Sequence, residues 1–278
     1  MLRPLPTAPC STLLLLLLLL AACNDAPAPR PSAFEAGGVS RADSSGYYRI
    51  GGSGPVLLLG VAYAGGLGEA ELRGRLDALE GAGGNYLKYF PPARGSQLAT
   101  LLRLTDERGI VLEVVPRPAD RLPATYGHLI VSPVADGPLA RANVAVDVAQ
   151  FNGMIMDGLP AVAINGFGER QFNAVRAARS VGRQLNTLLL RPAAHILPFA
   201  DAQRARAVTD PRGNYAIYLP GQGAVTVRLD GRQHRRRVTV VGHLGTRRSE
   251  VLEPPYDPEF TLESREPRGG WMLITRMD

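Results

Sequence analysis

Residues 47–115 alternate between short apolar runs and amphipathic stretches. Tyr47-Tyr48-Arg49-Ile50 and Pro55-Val56-Leu57-Leu58-Leu59 flank the turn sequence Gly51-Gly52-Ser53-Gly54, which predicts a hairpin running into a buried strand. Leu72, Leu76 and Leu79 recur at i, i+4 and i+7 with charges between them, so the spacing predicts a helix over 69–81. A glycine-rich break leads into Asn85-Tyr86-Leu87-Lys88-Tyr89-Phe90, a strand pattern stopped by Pro91-Pro92. Ser96 stands where it can cap a second helix carrying Leu98, Leu101, Leu102 and Thr105, with Gly109 at its end. Residues 110–115 make another apolar strand, stopped by Pro116. Strands alternating with helices of this length imply right-handed βαβ units and a parallel sheet. In a parallel barrel the functional groups gather at the C-terminal ends of the strands. Those ends are Gly60-Val61-Ala62-Tyr63, Lys88-Tyr89-Phe90 and Val115-Pro116-Arg117.

The pattern weakens over 121–160. Residues 128–131 and 144–148 have strand character with no helix pattern between them, and 159–165 is a clearer strand. A long helix follows over 169–190, with Phe172, Val175, Ala178 and Leu185 on or near one face. After about Asp201 the helical period disappears. Short runs such as Tyr215-Ala216-Ile217-Tyr218-Leu219, Val225-Thr226-Val227-Arg228-Leu229 and Trp271-Met272-Leu273-Ile274 are separated by turn residues. They predict a small antiparallel β-sandwich over 201–278, following an α/β domain over 47–200.

Ahead of the folded part, an unbroken leucine run over 13–20 is followed by Ala21-Ala22-Cys23. A short apolar core ending in small residues is a secretory signal, too short to span a membrane. The cysteine directly after it makes the segment resemble a bacterial lipoprotein signal. That resemblance implies that 1–22 is removed, that Cys23 becomes the lipidated first residue, and that a membrane of the cell envelope is a partner. Residues 23–46, rich in Pro, Ala, Ser and Gly, read as a flexible tether. Removing 22 of 278 residues leaves 256, enough for one large domain or two modest ones.

The only other cysteine, Cys10, lies in the signal, so the mature chain has no internal disulfide to form. Four histidines with no CxxC or HExxH pattern argue against a metal site. The net charge of +6 does not imply a nucleic-acid partner. Of 31 basic residues only Lys88 is lysine, an arginine dominance that codon usage explains more simply than a binding surface. The densest run, Arg235-Arg236-Arg237 with Arg247-Arg248, leads into strand-like sequence without interleaved aromatics and reads as a solvated strand face.

Both ends of the mature chain are similar to a known family. The hairpin and strand over 47–60, and Gly83-Gly84-Asn85 entering the next strand, resemble the opening of the apiosidase-like glycoside hydrolases. Asn214-Tyr215-Ala216-Ile217-Tyr218-Leu219-Pro220 and Gly270-Trp271-Met272-Leu273-Ile274 resemble the small β domain, named for collagen binding, that follows their catalytic domain. The resemblance implies a TIM-type barrel and a β-sandwich acting on plant or microbial polysaccharide. Two departures modify this. Residues 47–199 supply 153 residues, where a full barrel takes roughly 200 to 250. The deficit falls after Val115, so the expected fold is α/β, a reduced or incomplete TIM-type barrel followed by a small antiparallel β-sandwich. The second departure concerns the acids.

Glycoside hydrolysis takes two carboxyl groups flanking the scissile bond. The family's first strand ends in Gly-Asp, and here Gly60 is followed by Val61. A later strand ends in glutamate in related barrels. Here Ala163-Ile164-Asn165-Gly166-Phe167-Gly168-Glu169 places Glu169 two or three residues late, where it can equally serve as a helix-start acid. Glu113 either faces the sheet interior as a functional group or pairs with an arginine. Asp147 either lies near substrate or occupies a surface turn. Glu169, Glu113 and Asp147 are therefore the candidate catalytic carboxylates, and Lys88, Tyr89 and Tyr63, at strand ends, the candidate substrate contacts. There is no GxSxG elbow, and Gly65-Gly66-Leu67-Gly68 lacks the Rossmann spacing, so no cofactor is predicted. The expectation is a lipid-anchored, carbohydrate-associated envelope protein derived from a glycoside hydrolase, with catalysis lost or reduced. An active glycoside hydrolase and a non-enzymatic interaction lipoprotein are the alternatives.

Overall fold

The computed structural model describes residues 34, 38–41, 47–51, 53–117, 122, 126–132, 141–229 and 233–277. The leader and Cys23 lie outside the described residues, as does most of the expected tether. The first elements are three short antiparallel strands, β1 (Val39–Arg41), β2 (Tyr48–Ile50) and β3 (Pro55–Val56), in that order. The expected hairpin is therefore present, with Tyr48 opposite Val56. Strand β1 corrects the tether, which was taken to run to residue 46. Val39 pairs with Ile50, its N–H donates to Gly127 O at 2.6 Å, and the buried Phe34 stacks on His128 with ring centroids 5.1 Å apart. Isolated apolar residues in a polar, proline-rich stretch gave no period to read, yet they are what the fold buries.

The chain then builds β4 (Leu58–Tyr63), α1 (Glu69–Gly81), β5 (Tyr86–Tyr89), α2 (Leu98–Asp106), β6 (Val111–Val114), β7 (Leu129–Val131), β8 (Val144–Ala145), α3 (Val148–Met156), β9 (Ala161–Asn165) and α4 (Glu169–Gly182). Leu72, Leu76 and Leu79 of α1 are fully buried, as the spacing predicts. Ser96 does not cap α2. The N-cap is Gln97, whose side chain makes no cap bond and turns instead toward the loop before α1. Helix α4 ends at Gly182, well short of residue 190, although Leu185 beyond it is still buried.

The six strands β4 to β9 form one parallel sheet in the order β7-β6-β5-β4-β9-β8. This is the cyclic order of a (β/α)₈ barrel from which two strands are missing. The first strand, β4, is flanked by the second and by the last, as barrel closure requires, and the gap falls between β7 and β8. Residues 132–143 separate those strands. Twelve residues cannot supply two further strand–helix units, at about 30 residues each. The deficit after Val115 thus has a definite place, and the sheet is a partial TIM-like one whose edge strands, among the described residues, are β7 and β8.

Strand residues alternate between its two faces. Leu59, Val61, Tyr63, Leu87, Tyr89, Leu112, Val114, Val162 and Ile164 pack against the helices. Leu58, Ala62, Tyr86, Val111, Val144, Ala161 and Ala163 face the other way and share a core with Phe34 and Tyr48. The N-terminal hairpin therefore fills the base of what would be the barrel interior.

The remaining elements are β10 (Arg191–Pro192), the short helix α5 (Phe199–Ala202), β11 (Arg206–Thr209), β12 (Tyr215–Leu219), β13 (Gly223–Arg228), β14 (Arg236–Val241), β15 (Arg247–Leu252), β16 (Glu259–Ser264) and β17 (Gly270–Arg276). Six strands pair antiparallel in the order β10-β11-β12-β17-β14-β15, and β13 pairs with β16 in a separate ribbon. Where a sandwich was expected, a six-stranded sheet is faced by this two-stranded ribbon: Val225, Val227 and Leu262 pack with Ile217, Val238, Met272 and Ile274. The opposite face of the large sheet, with Ala216, Tyr218, Trp271 and Leu273, packs on Met156 of α3 and on Ala177 and Val181 of α4. Residues Ser32–Asp278 form one compact unit in which α3 and α4 are shared between the two sheets.

That sharing explains the helix the sequence hid. Phe151, Asn152, Gly153, Ile155 and Met156 of α3 are all buried, so the helix shows no polar stripe. Strand β15 was missed for the opposite reason, since it is an exposed edge of largely polar residues. Within the basic run, Arg236 is buried and bonded to Tyr256 OH and Gly213 O, while its neighbours remain exposed.

Candidate functional site

The inward face carries a polar cluster set among apolar residues. Tyr86 and Lys88 project from β5 and Glu113 from β6, and Asn143 immediately precedes β8. Lys88 Nζ lies 2.8 Å from Glu113 Oε1 and donates to Asn143 Oδ1 at 2.6 Å. Tyr86 OH donates to Glu113 Oε2 and accepts from Asn143 Nδ2 at 3.0 Å, which closes a four-membered ring of contacts. Lys88 is 2% exposed and Glu113 6%. Burial, and then the negative charge of Glu113, push the Tyr86 hydroxyl well above its usual value, so it stays a neutral donor.

The chain's one lysine thus sits in this cluster, among thirty arginines elsewhere. An ammonium is a compact point charge with three donors, whereas a guanidinium is a wide planar fork. Between two adjacent strands and a single amide, the ammonium is the group that fits. Toward the C-terminal end of the strands, the Phe90 ring centroid lies 6.0 Å from Lys88 Nζ with the Arg141 guanidinium 4.3 Å over it, and β9 ends on the exposed Asn165. This rim presents a cation and an amide to solvent, with the half-buried Phe90 ring packed beneath the guanidinium.

The other predicted residues lie elsewhere. Tyr89 cannot share a face with Lys88, because consecutive strand residues point oppositely. It is fully buried on the helix side, where its OH accepts from Gln97 N at 3.1 Å. Tyr63 is buried beside it, with ring centroids 5.8 Å apart. Its hydroxyl donates to Gln97 Oε1 at 2.6 Å and accepts from Leu67 N at 3.0 Å. Burial raises its pKa above the usual value. These two tyrosines hold the Gly65–Gly68 loop to the start of α2 and are buried on the face of the sheet opposite the Lys88 cluster. Both are corrected as substrate contacts.

Asp147 is the N-cap of α3: Oδ1 accepts from Gln150 N at 2.8 Å, and Gln150 Oε1 accepts in return from Val146 N at 2.8 Å. Such a reciprocal box commits the carboxylate to the helix start. Glu169 is exposed in the first turn of α4, where the helix dipole favours an acid. The structure joins Glu113 to Lys88, and no contact joins either Asp147 or Glu169 to that cluster. Glu113 faces the interior, as one alternative had it, but its partner is the lysine and not an arginine. Among the described strand residues of the inward face it is the single carboxylate.

Sequence reasoning missed Tyr86, Asn143, Phe90 and Arg141. The period of two in Tyr86-Leu87-Lys88-Tyr89-Phe90 is a signal that would have found Tyr86 and Phe90 beside Lys88. Asn143 and Arg141 lie in the stretch whose pattern had faded. Among the described residues no group of three or more His, Cys, Asp or Glu is placed to hold a metal, and no helix is long and apolar enough to cross a membrane.

No protein-family model matches this chain, and neither does any curated protein sequence. Among solved structures it is similar to a glycoside hydrolase family 5 protein from Bacteroides vulgatus ATCC 8482, with 8% sequence identity and a TM-score of 0.60 over 89% of this chain and 95% of that one. A structure described as a glycoside hydrolase matches with 7% identity and a TM-score of 0.59, covering 88% of this chain and 98% of the other. The likeness is one of fold, and it is nearly end to end in both molecules. The fold is glycoside-hydrolase-like.

Proposed function

We propose that this protein is a carbohydrate-associated protein of the cell envelope that has lost the hydrolytic chemistry of its glycoside-hydrolase-like fold. The observation that carries this is the Lys88–Glu113 contact. Hydrolysis takes two carboxyl groups about 5–10 Å apart across the bond. On the inward face the described strands offer one, and it is held by an ammonium and a tyrosine hydroxyl. The exposed Arg141 and Asn165, with Phe90 packed beneath the guanidinium, are suited to holding a sugar: they offer hydroxyl groups several donors and an acceptor.

The finer parts of this proposal are descent from apiosidase-like enzymes, a C-terminal β domain of their accompanying type, and attachment to the membrane by a lipid on Cys23. The test is a panel of plant and bacterial glycans, scored separately for binding and for released sugar. Binding without release is expected, weakened by Phe90→Ala. Release of sugar that disappears in Glu169→Gln would replace the proposal with an active hydrolase. Neither binding nor release would leave a protein-interaction role.

A further inference from the structure

A second polar cleft lies at the opposite end of the parallel sheet, far along the strands from Phe90 and Asn165. Its volume is about 500 Å³, and its walls include Leu57 just before β4, the C-terminal turn of α4 and the segment that follows it. Three guanidinium groups line it, from Arg179, Arg183 and Arg212, and no carboxylate does. Elsewhere on the surface Arg73, Arg75, Arg103, Arg204, Arg228 and Arg235 each pair with an acid. The nearest acid in sequence, Asp210, accepts from the backbone N–H groups of Asn186, Arg212 and Asn214 and from the Asn214 side chain, and is buried.

Arg179 shows how the site is built. Its Nε donates to Gly83 O at 2.7 Å, and its Nη2 to Leu57 O at 3.1 Å and to Asn85 Oδ1. These bonds anchor the guanidinium to the base of β4 and β5 through neutral acceptors only. Nη1 has no partner among the described residues and is not sealed from solvent. Burial and the like charge of Arg183 bring the Arg179 pKa down to about 10, the mark of cations gathered without a counter-charge. Arg183 and Arg212 are exposed, and among the described residues neither makes a side-chain hydrogen bond or ion pair.

We propose that this cleft binds an oxyanion, a carboxylate or phosphate carried by a small hydroxylated molecule or by a lipid headgroup, between Arg179 Nη1, Arg183 and Arg212. Planar guanidinium groups match such oxygens in a two-pronged geometry, and a partly enclosed cleft strengthens charge-assisted bonds. The volume leaves room for a body of about monosaccharide size around the charged group.

The test is calorimetric titration of the full chain carrying Cys23→Ser, so that lipidation plays no part, with inorganic phosphate, glucuronate and neutral glucose at constant ionic strength. Phosphate or glucuronate is expected to bind saturably and glucose not to. Arg183→Gln and Arg212→Gln are each expected to weaken that binding about tenfold while the melting temperature is unchanged. Absence of saturable binding by both anions, or binding that survives in both variants, would overturn the proposal. Vesicles identify the source of the ligand. Co-sedimentation with phosphatidylglycerol but not phosphatidylcholine, lost in the same variants, assigns a headgroup. Anion binding without co-sedimentation assigns a soluble ligand.

Discussion

Lys88 Nζ and Glu113 Oε1 meet at 2.8 Å on the inward face of adjacent parallel strands, both almost closed to solvent. A carboxylate in the interior of a glycoside-hydrolase-like barrel is the natural candidate for catalysis. This one is neutralised by its neighbour and bonded at its other oxygen by Tyr86. Removing one member of a buried pair strands a charge, at a cost of about 3–5 kcal/mol, whereas replacing both by apolar groups is often close to neutral. Lys88→Met and Glu113→Leu should each lower unfolding stability by roughly that amount, and the two together by much less than the sum. Urea unfolding of the four proteins checks this. A pair that contributes additively would contradict the close coupling described here.

Asp147 should behave as a helix cap. Asp147→Ala is expected to cost about 1 kcal/mol, and Asp147→Asn only a fraction of that, because asparagine can also accept from Gln150 N. Glycan binding should be the same in both. A large functional loss with unchanged stability would return Asp147 to the list of site residues.

Gly60 should not tolerate a side chain. A methyl group placed there would collide with the carbonyl of Tyr86 on the neighbouring strand. Gly60→Ala is therefore expected to push β4 from β5 and destabilise by about 3 kcal/mol or more. Thermal unfolding of the variant reads this directly, and a change under about 0.5 kcal/mol would mean that the strands separate easily.

His128 should make stability sensitive to acid. It is buried, contacts Thr105 Oγ1 at 3.0 Å and stacks on Phe34, with the Asp106 carboxylate 3.5 Å from its Nδ1. Burial lowers its pKa below the ordinary 6.5, and the opposing pull of Asp106 is the smaller effect. The neutral ring is the folded form, so the unfolded chain takes up more protons as pH falls below about 6.5. The contribution of His128 is full above that value and is lost as pH falls through the lower folded one. Urea midpoints at about pH 7.5 and pH 5 should differ more in the parent protein than in His128→Gln. Equal differences would show that other groups carry the acid sensitivity.

Much of the fold was legible because its elements obey local periods. Helix α1 emerged with its observed bounds from three leucines, and strands β4, β5, β6 and β9 from apolar runs closed by glycine or proline. The candidate site was less legible. Lys88 and Glu113 were picked out singly, each for its place in a strand. Tyr89 and Tyr63 were picked out by the same criterion and belong to the other face. Helix α3 escaped because it is buried on both sides, and its capping box Asp147–Gln150 was taken for a surface turn with a candidate acid in it.

By itself the sequence determined the succession of strands and helices, the shortage of chain after Val115 and the scarcity of acids at strand ends. All of these depend on neighbours a few residues apart. Only the tertiary structure decided that the missing strands fall between β7 and β8, that Lys88 meets Glu113, and that Arg179, Arg183 and Arg212 line one cleft. Strand order and face bring together residues that are distant along the chain. Whether a charge there is paired, buried or open depends on desolvation by those distant neighbours, which no local period encodes.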